Sequence, residues 1–174
     1  TDARCAARRH ELLRRALAIQ ERVYGPDHPE VAATLSNLGS ATGGLGDAAV
    51  RRDLLLRALA IKERTYGADH RQCAVTLVNL GAAYGDLGDV PKQRDMLERA
   101  LAIQERVYGT EHSVLVATLA SLGDAYRDLG DADRQHELQA RALAMQERLA
   151  AAAPRPASGT SPCCRFALQS LVVV

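Results

Sequence analysis

The segment Ala58-Leu59-Ala60-Ile61, followed by Tyr66-Gly67, decides the fold, because the chain keeps returning to it. It recurs at 42-residue intervals as Ala16-Leu17-Ala18-Ile19, Ala100-Leu101-Ala102-Ile103 and Ala142-Leu143-Ala144-Met145. Tyr24-Gly25 and Tyr108-Gly109 repeat the closing pair, and His28, His70 and His112 keep the same step. Leu38-Gly39 returns at residues 80–81 and 122–123, and Leu45-Gly46-Asp47 at 87–89 and 129–131. A fixed period of this size marks a solenoid, whose units bury their apolar faces only by stacking on neighbours. Such an array is built to present surface, so the expectation is a binding module.

Residues 29–67 show what one period encodes. Pro29 suits a first helical position, where its missing N–H has no intrahelical partner to lose, and Asp27 or His28 precedes it as a cap. Val31, Leu35 and Leu38 recur at helical spacing and predict an amphipathic helix A. Gly46 can end it in the left-handed conformation, and Asp47 follows at once as the cap of helix B. Helix B carries Leu54, Leu55, Ala58, Leu59 and Ile61, and stops at Tyr66-Gly67. Two helices joined by a Gly-Asp corner form an antiparallel hairpin. The first copy, residues 2–25, holds only a B helix; full hairpins follow over 29–67, 71–109 and 113–151. An all-α α-solenoid of seven helices over residues 1–151 is therefore expected. Gly39, Gly81 and Gly123 fall inside helix A, where glycine costs about 1 kcal/mol relative to alanine. A neighbouring backbone passing close by is the expected reason, with Ala58, Ala100 and Ala142 giving the same room on helix B.

The composition agrees with helices and narrows the partners. The apolar residues are mostly Ala and Leu, strong helix formers, with five Tyr, one Phe and no Trp among 174 residues. Lys and Arg total 22 against 21 Asp and Glu, interspersed, which argues against a nucleic-acid groove or an acidic-lipid surface. No apolar run reaches the roughly 18–20 residues that span a bilayer.

These blocks resemble the tetratricopeptide repeat, and the 42-residue step resembles its kinesin-light-chain type. The resemblance rests on Thr34-Leu35, Leu38-Gly39, Leu45-Gly46-Asp47, Arg57-Ala58-Leu59-Ala60-Ile61 and Tyr66-Gly67-x-x-His70, with their counterparts. It covers about residues 4–150 and implies a right-handed superhelix. Two departures stand out. The family's helix A carries a Tyr where Tyr84 and Tyr126 stand, but the first hairpin has Thr42 followed by Gly43-Gly44, so that helix end is expected to fray first. Arg51, Gln93 and Gln135 replace the small residues common early in helix B; they are expected to lean to solvent and open the hairpins slightly.

Two patterns suggest chemistry and fail on geometry. The histidines His28, His70 and His112, each preceded by an acid, lie on equivalent corners of successive hairpins. Packed helices stand about 8–10 Å apart, so no single ion at about 2 Å from each nitrogen gathers them. The glycines between Gly39 and Gly46 look like a phosphate loop but lack its Lys-Ser/Thr and follow no strand. No nucleophile–base arrangement is present, so neither enzyme activity, nor a cofactor, nor a metal is expected.

In arrays of this family one face of the A helices lines the concave wall. Mapped onto this chain, that face is Ala33, Ser36, Asn37, Ser40 and Gly44, then Val75, Val78, Asn79, Ala82 and Asp86, then Ala117, Ala120, Ser121, Asp124 and Asp128. Asn37 and Asn79 are equivalent, and an amide can bracket an extended backbone with donor and acceptor together. The alternative is that both amides bond within or between helices. No Lys lies on these helices, which disfavours carboxylate-clamp recognition of a C-terminus; Arg127 is the one basic candidate for acidic cargo peptides, and the groove acids oppose it. The expected role is a non-catalytic scaffold that binds a neutral or basic extended peptide of another protein. Alternatives are a regulatory repeat region of a larger signalling NTPase-type protein, or an array that self-associates through uncapped ends.

The edges carry the weakest signals. The chain opens on Thr1 inside a helical pattern and reads as a cut edge; a cytoplasmic setting is the expectation from its cysteine usage. Cys5 and Cys73 are expected to pack as small apolar residues, while vicinal Cys163-Cys164 could be oxidised, acylated or inert. Residues 152–174 combine a Pro/Ser/Gly linker, expected to be disordered, with the apolar stretch Phe166–Val174. That stretch could cover the last helix, serve as a free carboxylate-terminated peptide, or have no structural role.

Overall fold

The computed structural model describes residues 2–44 and 46–152. Within them the chain forms seven helices: α1 (Asp2–Tyr24), α2 (Pro29–Gly43), α3 (Ala48–Tyr66), α4 (Arg71–Asp86), α5 (Val90–Tyr108), α6 (Val114–Asp128) and α7 (Ala132–Ala152). The expected order of one B helix and three AB hairpins is what is seen, an all-α solenoid. Residues 153–174, which hold the linker, the apolar stretch and the vicinal cysteines, lie outside the described residues.

Local chemistry sets every corner. Gly46, Gly88 and Gly130 turn the chain with φ of 81°, 74° and 80°, a region closed to most side chains. Asp47, Asp89 and Asp131 then accept from the N–H groups of Val50, Lys92 and Arg134 and cap α3, α5 and α7. At the opposite corners the cap is the histidine: the Nδ1 atoms of His28, His70 and His112 accept from Glu30, Gln72 and Val114 N–H, each at 3.2 Å. Each imidazole stacks on the tyrosine four residues earlier, with ring centres 4.8–4.9 Å apart. The preceding acids have a separate task. Asp27, Asp69 and Glu111 pair with Arg64, Arg106 and Arg148 of the next B helix, at 2.7, 2.9 and 2.7 Å. Those arginine hydrogen bonds hold the Asp27 and Asp69 carboxyls below the usual carboxylate range.

Packing separates two layers. Each helix packs on its neighbours in sequence, and α2 also touches α4, as α4 touches α6, whereas the B helices α1, α3, α5 and α7 make no such approach to one another. The A helices therefore lie closer together than the B helices, which curves the array with the A helices inside. Between the spread B helices, Arg57–Glu21, Arg99–Glu63 and Arg141–Glu105 bridge at 2.6, 2.5 and 2.6 Å. Three apolar clusters sit between the layers, centred on Leu35 and Ile61, on Leu77 and Leu80, and on Leu119 and Leu122. Burial of such side chains is worth about 1.5–3 kcal/mol each and drives the stacking.

Several expectations are corrected here. A methyl added at Gly39 or Gly81 would first meet the Cγ of Leu55 at 2.9 Å or Leu97 at 2.8 Å; helix B backbone carbonyls lie further off, at 3.5 Å. The glycine thus accommodates a leucine rather than a bare backbone. Arg51 and Gln93 do not lean to solvent: they fold over helix A, where Gly43 and Gly85 leave them space at 3.0 Å. Cys5 is exposed, while Cys73 is buried as expected. Met145 is buried against α6, so of the last helix's apolar residues Leu143 and Leu149 are the exposed ones.

Candidate protein-interaction surface

The inner layer is small and polar because the periodic leucines of α2, α4 and α6 all turn toward the B helices. What remains inside is a shallow concavity of about 330 Å³ between α4 and α6, rimmed by the start of α5. Seven of the residues expected on the wall line it: Val78, Asn79, Ala82 and Asp86 from α4, and Ser121, Asp124 and Asp128 from α6. Gly85, Gln93 and Leu97 complete it. Gln93 was not foreseen, since its place at the start of helix B hid that it folds over Gly85; a glycine one turn after the invariant Leu-Gly pair is the signal that could have found it.

Elsewhere the wall is uneven. Asn37 and Ser40 are exposed on α2, one repeat away from this concavity. The Ser40 hydroxyl donates to Ser36 O at 3.1 Å, whereas neither Asn37 nor Asn79 uses its amide in a hydrogen bond among the described residues. Ser36 is a correction: it is buried, donates to Ala32 O at 2.9 Å and accepts from Lys62 Nζ at 2.8 Å, so it offers nothing to a ligand. Position 36 lies 100° around the helix from position 37, enough to place it in the seam with α3.

The charge of the concavity is set by its aspartates. Asp86 receives Arg51 at 2.9 Å from α3. Arg127 is held by its own neighbours, Asp124 at 2.9 Å and Asp128 at 3.2 Å, so it is no free cation for an acidic ligand. Three carboxylates against two guanidinium groups leave the face mildly negative. Among the described residues no group of three or more His, Cys, Asp or Glu side chains is arranged to hold a metal ion. No helix there is long and apolar enough to cross a membrane.

Comparison with known proteins places this architecture. A tetratricopeptide repeat profile matches residues 11–50 and 86–148, and a second profile of the same description matches residues 31–72. No curated protein sequence matches the chain. Among solved structures, BtubC (BKLC) from P. vanneervenii superposes with a TM-score of 0.76 at 25% identity, over 87% of this chain and 61% of that one. The chain thus spans less than two thirds of that relative. The nearly identical TPR-like repeats of a putative kinesin light chain from Podosopora anserina superpose with a TM-score of 0.68 at 27% identity, covering 83% of this chain and 68% of that one. MamA, at 20% identity and a TM-score of 0.57 over 82% of this chain and 81% of its own, shares the fold alone. Seven helices on a 42-residue period, glycine–aspartate corners and these matches make the chain a member of the tetratricopeptide repeat family, with kinesin-light-chain-like repeats.

Proposed function

We propose that this protein-interaction scaffold binds an extended, neutral or basic peptide segment of another protein along the inner faces of α2, α4 and α6. The observation that carries the reading is the concavity between α4 and α6, where Asn79 and Ser121 offer hydrogen-bonding groups and Asp86, Asp124 and Asp128 surround them with negative charge. An extended chain presents its own N–H and C=O groups, which an amide with no internal partner can bracket from one side. A lysine or arginine on that chain would meet the aspartates, while an acidic one would be repelled. The ends of the array, with Leu12, Ile19 and Val23 exposed on α1 and Leu143 and Leu149 on α7, are the surfaces self-association would use.

A peptide-display selection against the chain tests the proposal. Enrichment of extended peptides rich in Lys or Arg is expected, together with its loss in the Asn37→Ala, Asn79→Ala double variant. Asp124→Asn with Asp128→Asn should keep binding but remove the preference for basic residues. Enriched peptides indifferent to all four changes would place the site elsewhere.

A further inference from the structure

The outer side of the array carries a cleft that is much wider in the first repeat than in the third. Between α1, α2 and α3 lies a pocket of about 690 Å³, with Leu17, Leu38, Val50 and Leu54 as apolar walls. Its counterpart 84 residues on, between α5, α6 and α7, measures about 270 Å³ and has Leu101, Leu122, Arg134 and Leu138 in the same places. The difference has an evident source. The second cleft contains Tyr126, whereas the first has Thr42 at that position, buried and with its hydroxyl turned back to Leu38 O at 2.8 Å. The first pocket is a tyrosine socket without its tyrosine.

Tyr126 also shows how an occupant is anchored. Its hydroxyl donates to Glu98, and that hydrogen bond raises the phenol above its usual range. The residue equivalent to Glu98 in the first pocket is Arg14, and the equivalent of Arg94 is His10; both line it. The anchoring point has therefore changed from an anion to a cation. The two acids that also line the pocket are engaged: Glu21 pairs with Arg57 at 2.6 Å, and Asp47 accepts from Val50 N–H at 3.1 Å. Arg14 has no ion-pair partner among the described residues.

We propose that this pocket is a binding site for a small aromatic carboxylic acid, its ring seated among Leu17, Leu38 and Leu54 and its carboxylate on Arg14. The volume falls within the roughly 300–1,000 Å³ of small-molecule sites. A planar guanidinium matches a carboxylate with two parallel hydrogen bonds, which a phenol cannot return. The site lies on the opposite side of the array from the peptide-binding face and does not depend on it.

The test titrates the whole chain with 4-ethylbenzoate and with 4-ethylbenzylamine, followed by amide chemical shifts. The expected result is benzoate-induced shifts at Leu17, Leu38, Val50 and Leu54, with affinity about tenfold or more above that for the amine. Arg14→Glu restores the charge found at Glu98 and should reverse that order. Thr42→Tyr fills the socket from within and should abolish both ligands while the helical circular dichroism is unchanged. If Thr42→Tyr fails to fold, the reversal by Arg14→Glu still decides. No benzoate binding at millimolar concentration, equal binding of the two ligands, or a preference untouched by Arg14→Glu would overturn the proposal.

Discussion

The hairpins α2–α3 and α4–α5 share nearly every backbone feature and yet bury different chemistry. In the first, Lys62 reaches across the seam to Thr76 Oγ1 of α4 and Ser36 Oγ of α2, both at 2.8 Å, and is only 5% exposed. Forty-two residues on, the same slot holds Gln104, only 4% exposed, with Val78 where Ser36 stood and with no hydrogen-bond partner for its Oε1. One slot holds a charge without a counter-charge, and the other an amide with an orphaned oxygen. The periodic leucines and corners evidently fix the fold with enough margin to carry either defect. Desolvation lowers the Lys62 pKa, and no carboxylate faces it to offset that.

Removing the charge breaks the comparison most strongly. Ser36 and Thr76 keep bonds of their own to Ala32 O and Gln72 O, so Lys62→Met orphans neither hydroxyl. Replacing a buried charge by an apolar chain of similar length is expected to stabilise the protein near neutral pH by about 1–3 kcal/mol, read from urea midpoints. The sign with pH follows from the lowered pKa. Below the folded-state value both states hold the proton, and the penalty is constant. Between that value and the ordinary 10.5, the unfolded chain binds more protons, so wild-type stability rises with pH. The advantage of Lys62→Met should therefore shrink as pH rises through this window. Comparing the two proteins cancels Lys92, whose pairing with Asp89 raises its own pKa, and making both in a Cys73→Ala background removes the buried thiol whose charge couples to Lys62. An advantage independent of pH would mean that Lys62 carries no buried charge.

The third hairpin sharpens the comparison. At Gly39 and Gly81 an added methyl meets Leu55 or Leu97 at under 3 Å, but at Gly123 the nearest atom is the Cγ of Gln139, at 3.3 Å, on an unbranched, exposed side chain. Gly81→Ala is expected to destabilise by about 1–3 kcal/mol through overpacking, even after the helix-propensity gain. Gly123→Ala should be neutral or slightly stabilising, because Gln139 can move aside. Equal losses at both positions in thermal melts would point to the backbone, rather than the leucine, as the crowded neighbour.

The period alone made the seven helices and their ends legible, because each boundary repeats a cap or corner residue whose chemistry is local. The wall was legible only in part. Asn79 and Ser121 line the concavity as the helical wheel demands, but the position of Ser36 and Val78 lies at the edge of that face: Val78 packs partly on the core, and Ser36 meets Lys62, a residue of another helix that no wheel of α2 contains. Arg51 and Gln93 folded over glycines on the facing helix for the same reason, a contact made across 8 residues rather than within one face. The missing tyrosine at Thr42 was visible as a composition fault. The gap of about 690 Å³ follows from Thr42 leaving unfilled the space that Tyr126 takes in the cleft of the third repeat, since the bridges Arg57–Glu21 and Arg141–Glu105 are alike at 2.6 Å.

The smallest difference between the two hairpins lies at the end of helix A. In α4 the Asp89 N–H returns to Tyr84 O at 2.9 Å, and in α6 Asp131 N–H returns to Tyr126 O at 3.0 Å. Among the described residues α2 has no such bond from Asp47 to Thr42; Gly46 N–H closes on Gly43 O at 3.2 Å and Gly44 N–H on Thr42 O, and the helix ends one residue earlier in the repeat than α4. Gly44 occupies the place of Asp86 yet has φ −68° and ψ −13°, a conformation any residue adopts. A methyl there meets only Ala41 O at 3.6 Å, an ordinary contact. Gly44→Ala is therefore expected to stabilise by about 0.5–1 kcal/mol by removing unfolded-state freedom, and to slow amide exchange at residues 43–46. The two readouts separate two causes. If stability rises and exchange slows together, glycine entropy alone ends α2 early. If stability rises while exchange stays fast, the missing aromatic at Thr42 leaves the last turn without packing, and only Thr42→Tyr would restore the returning bond that α4 and α6 share.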